Sequence, residues 1–71
     1  MSDLTRLKTY PNEMEAHLWA GVLEDQGVHA MVKPEMGGYG WGHDSFMPHS
    51  VLVLTDDIEI ARRIIQNDEE S

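Results

Sequence analysis

"SVLVLTDDIEIARRII", residues 50–65, decides how this chain folds. Side chains alternate between the two faces of a strand, so the four successive apolar residues from Val51 to Leu54 put apolar groups on both faces. A strand that needs cover on both sides belongs in the middle of a sheet. Directly after it, Asp56 with Glu59 at the third helical position makes a helix start. Ile58, Ala61, Ile64 and Ile65 then recur at helical spacing while Arg62 and Arg63 face water.

Upstream, the same periodicities give three more elements. Residues 28–33, "VHAMVK", alternate Val28, Ala30 and Val32 against His29, Met31 and Lys33, which predicts a strand closed by Pro34. Before it lies a helix. Asn12 is a good N-cap, Glu15 completes a capping box, and Gly27 supplies the residue without a Cβ at which the helix ends. Ala16, Leu18, Trp19, Ala20, Val22 and Leu23 fall on one broad arc, with Glu13, His17, Glu24 and Asp25 on the other side. Trp19 is expected in the core, and Glu15, although inside the apolar arc, is accounted for as a cap. The first element, Leu4 to Tyr10, alternates Arg6, Lys8 and Tyr10 against a set containing Leu7, and Pro11 stops it.

The order β-α-β-β-α is a ferredoxin-like split βαβ unit of the α+β class. Right-handed crossover gives a three-stranded antiparallel sheet of order 1-3-2 with both helices on one face. The chain reads as a single domain, residues 1–71, with an ordered core of about 4–67 and an acidic tail at 68–71. Such a sheet leaves one face bare. Either the connection between the second and third strands folds under it, or a second subunit covers it, and the open edge of the first strand also invites pairing. A homo-oligomer, most simply a dimer, is expected.

"YPNEMEAHLWAGVLEDQGVHAMV", followed by a Gly-containing connection and "VLVLTDDIEIARRII", resembles the small bacterial family described as "putative prokaryotic signal transducing protein". The resemblance is carried by Glu15 and Ala16, by Leu23 and Gly27 with Val28, by the apolar third strand, and by Ala61, Ile64 and Ile65. It implies a ferredoxin-like, PII-like (GlnB-like) fold and a regulatory or binding role, and it supplies no catalytic residues. It also implies that the connection between the second and third strands is the segment that contacts partners.

Composition narrows the function classes. Five Lys and Arg against 13 Asp and Glu give a net charge of -8, which repels a phosphate backbone and argues against nucleic acid. Without cysteine there is neither a disulfide nor a thiolate nucleophile or ligand. The opening "MSDLTRLK" shows neither a signal-peptide nor a transit pattern, and no apolar run approaches a membrane span, so a cytoplasmic protein is expected.

The connection "EMGGYGWGHDSFMPHS", residues 35–50, is where chemistry could concentrate. Its glycines lack the Lys-Ser/Thr and helix start of a phosphate cradle. His43, Asp44 and His49 are weak metal-ligand candidates at a spacing that matches no recognised site, and no cofactor is expected. Ser45 and Ser50 near His43 and His49 have no orienting third group or oxyanion element, so catalysis is not expected. What remains is contact: Tyr39, Trp41, His43, Phe46, Met47 and His49 are the candidate residues for binding a protein or a small ligand through the 35–49 segment. A connection longer than about 12–15 residues is usually functional or disordered. The alternatives are a structural accessory domain without a ligand, in which the segment completes the core, and a weak metal-binding protein.

Overall fold

Val51 and Val53 sit at the centre of the core with no exposed surface. The computed structural model describes residues 3–35 and 47–70. Its elements are β1 (Leu4–Tyr10), α1 (Glu13–Asp25), β2 (Ala30–Pro34), β3 (His49–Leu54), a 3-10 turn (Thr55–Asp57) and α2 (Ile58–Glu70). The sheet is antiparallel with order β1-β3-β2, so the apolar strand is central as its sequence requires. Both helices supply the same core. Ala16, Ala20 and Leu23 of α1 and Ala61 and Ile65 of α2 close over Val51 and Val53.

Asn12 caps α1 as expected, but the Glu15 carboxylate meets the Asn12 side-chain amide instead of its backbone N–H. Asn12 accepts from the Glu15 amide at 2.8 Å, and its own side-chain amide donates to the Glu15 carboxylate at 3.2 Å. At the other end Gly27, at φ 88°, takes the left-handed conformation. The Val28 amide then reaches the Leu23 carbonyl at 2.9 Å and the Gly27 amide reaches Glu24 at 3.0 Å. These two bonds form a Schellman motif, and Leu23 and Val28 are both buried, as its apolar contact demands. Val28 therefore serves the helix end, and β2 begins at Ala30 instead of at residue 28.

Three details differ from the sequence reading. Leu18 is 61% exposed, because a narrow three-stranded sheet covers only the arc around Ala16, Ala20 and Leu23. Asp56 makes no side-chain cap: the chain leaves β3 through the 3-10 turn, and α2 starts at Ile58. Residues 68–70, read as a tail, continue α2, and Glu69 takes Lys8 Nζ at 2.8 Å.

A further difference lies in β1. Arg6 pairs with Leu52 but Lys8 pairs with Val51, so Leu7 is an extra residue and the strand carries a bulge. The bulge breaks the alternation that grouped Arg6 with Lys8 and Tyr10. Arg6 stays on the face away from the helices, whereas Tyr10 enters the core opposite His49 and stacks on Trp19, ring centroids 6.2 Å apart.

Candidate functional site

The register fixes what the helix-free face of the sheet carries. Leu4 lies beside Leu54, then Arg6, Leu52 and Met31 form a row across the three strands, then Thr9, Ser50 and Lys33. One end is apolar and the other polar. Leu4 and Met31 are 43% and 50% exposed, while Leu52 and Leu54 are half-buried. Among the described residues no element lies over this face.

The polar end is the stem of the 35–49 connection. The Glu35 amide donates to the Pro48 carbonyl at 2.9 Å, extending the β2–β3 ladder one step past Pro34 and His49. The Ser50 hydroxyl donates to Glu35 Oε2 at 2.6 Å. With that proton committed, Thr9 is the donor in its 2.9 Å bond to Ser50 Oγ. Arg6 approaches Glu35 Oε1 at 3.6 Å from the same side. Three strands thus converge on one carboxylate at the point where the connection leaves the sheet.

Ser50 is 1% exposed and His49 is 5% exposed. The Ser50 hydroxyl ties β3 to Glu35 and to Thr9 of β1. His49 Nδ1 bonds the Met47 carbonyl at 2.7 Å, and since a carbonyl only accepts, Nδ1 carries the proton. Met47 is half-buried. Of the other contact candidates, Tyr39, Trp41, His43 and Phe46 lie outside the described residues, as does Asp44. Among the described residues no three of His, Asp and Glu gather as a metal-ligand set. The Arg6–Glu35–Ser50–Thr9 chain was not anticipated; its one sequence signal is a serine opening an otherwise apolar strand.

Elsewhere, a groove of about 200 Å³ runs between β1 and α2, lined by Leu7, Lys8, Arg62, Ile65, Gln66 and Glu69. Tyr10 Oη is buried and has no hydrogen-bond partner among the described residues. Burial, with Glu69 and Glu15 adding negative charge nearby, pushes the Tyr10 phenol up to about 12. No helix among the described residues is long and apolar enough to cross a membrane.

The family described as "Putative prokaryotic signal transducing protein" matches residues 5–69, from the first residues of β1 to the last turn of α2. The chain belongs to this family. No curated protein and no solved structure matches it. The family description names a signal-transducing role and states no ligand or partner.

Proposed function

We propose that this member of the family is a non-enzymatic regulatory module that pairs with itself and contacts a protein or small-molecule partner through the 35–49 connection. The observation that supports the reading is the stem. A backbone bond and a carboxylate tied to β1 and β3 hold Glu35 and Pro48 together beside a sheet face that no element covers among the described residues. A rigid sheet carrying a long connection on a fixed base is the usual arrangement for recognition, since the scaffold positions the segment without constraining its sequence. The 35–49 segment contains Tyr39, Trp41, His43 and Phe46, residue types suited to contact with a protein or a small ligand.

The test replaces residues 36–46 with a short Gly/Ser linker and screens both proteins by thermal shift against nucleotides, metabolites and divalent metals. Any specific binder raises the melting temperature by mass action. The expected result is a linker variant that folds on the intact stem but loses the shift seen with the natural chain. An unfolded linker variant would instead support the structural alternative, in which the segment completes the core.

A further inference from the structure

The helix-free face of the sheet, over which no element lies among the described residues, has a specific occupant. We infer that two copies of this chain stack their helix-free sheet faces against one another about a two-fold axis running along β3. This deepens the self-association in the functional reading above and rests on it.

Both edges of the sheet are defended against strand pairing. The outer edge of β1 carries the bulge at Leu7, flanked by Arg6 and Lys8, and the outer edge of β2 ends in Pro34, which has no amide proton to offer. Bulges, cations and prolines are the devices by which sheets avoid edge-to-edge association. That leaves the face.

Charge points the same way. Two chains of net charge -8 repel, but ten of the thirteen acids lie on the two helices and the turn that opens α2. The bare face instead carries Arg6 and Lys33, with Glu35 at its polar end. Stacking through this face keeps the acidic helical layers on the two outer sides of the pair. It is the approach with the least repulsion.

The register makes the face self-complementary. With the axis along β3, each row of one sheet lies over the same row of its partner, and β1 lies over β2. Leu52 and Leu54 then meet their own symmetry mates, Met31 lies over the aliphatic stem of Arg6, and Lys33 lies over Thr9. No two cations are opposed. Strands about 4.8 Å apart and residues about 3.4 Å apart give a footprint of about 14 by 20 Å. That is small against the roughly 1,200–2,000 Å² of a standard stable interface, so the pair should be weak and concentration-dependent.

The test is sedimentation velocity from low to high micromolar concentration on the natural chain, Leu54→Glu and Leu18→Glu. The chain has no cysteine, so Leu54→Cys and Leu18→Cys can each be challenged with a short bismaleimide cross-linker. The expected result is a reversible dimer that Leu54→Glu weakens at least tenfold with an unchanged circular dichroism spectrum. Leu18→Glu should behave as the natural chain, and only Leu54→Cys should cross-link to itself. If Leu54→Glu does not fold, the cross-link decides alone, and a dimer without it overturns the stacking. A dimer or open polymer broken by Leu18→Glu and untouched by Leu54→Glu overturns the face-to-face arrangement but leaves self-association standing. A monomer at high micromolar concentration overturns both.

Discussion

Replacing Ser50 by alanine removes the hydroxyl at the centre of the stem. That hydroxyl is 1% exposed, donates to the Glu35 carboxylate at 2.6 Å and accepts from Thr9 at 2.9 Å. A hydrogen bond to a charged group contributes about 1.5–3 kcal/mol net. The Glu35 side chain keeps 36% of its exposure and can recover water, which moves the estimate toward the lower end. The loss should therefore be about 1.5–2 kcal/mol. For a domain of this size each kcal/mol moves the melting temperature by about 4–8 °C, so the expected drop is roughly 6–16 °C. Thermal and urea unfolding followed by circular dichroism measure it. A double-mutant cycle with Glu35→Ala assigns the loss to this pair and should show a coupling of about 1 kcal/mol, because the two groups touch. If Ser50→Ala costs less than about 0.3 kcal/mol, or the two changes simply add, the stem is not clamped as described and the connection has no fixed base.

Three other outcomes follow from the same coordinates. Tyr10→Phe removes a buried hydroxyl without a partner among the described residues, so stability near neutral pH should stay level or rise. Because the folded phenol sits at about 12 against an ordinary 10.0, its contribution is complete below pH 10 and disappears as pH climbs from 10 through 12. The natural chain should lose of order 2 kcal/mol over that window relative to Tyr10→Phe, and parallel pH profiles would contradict this. Gly27→Ala forces a side chain to φ 88° and should destabilise by about 1 kcal/mol in urea unfolding; an unchanged midpoint would remove the Schellman cap. Leu23→Ala, at a side chain with no exposed surface, should cost about 3–5 kcal/mol, most of what a 71-residue domain holds, and leave the protein largely unfolded by circular dichroism at room temperature.

Much of the fold was legible because local and long-range signals agreed. An apolar run could only be central, Asn12 and Gly27 could only start and stop a helix, and right-handed crossover then fixed the strand order. The misreadings have a common origin, since periodicity assigns a face but not how much of it the rest of the protein covers. Leu18 lies within the apolar arc, yet the described residues form only two layers and leave it 61% exposed. Tyr10 obeys alternation until one inserted residue, Leu7, reverses the parity of the strand beyond it. The site was less legible still. The rows across the sheet depend on register between segments some forty residues apart, so the convergence of Arg6, Thr9, Glu35 and Ser50 leaves no pattern along the chain.

The proposed recognition and pairing share one scaffold, a sheet whose strands β2 and β3 are tied at Glu35 and Pro48, at the stem of the connection. Sedimentation of the natural protein across the micromolar range tests the pairing most directly. A reversible monomer–dimer equilibrium that Leu54→Glu shifts to monomer is the expected result. A single monomeric species at every concentration, with the fold intact, would contradict it.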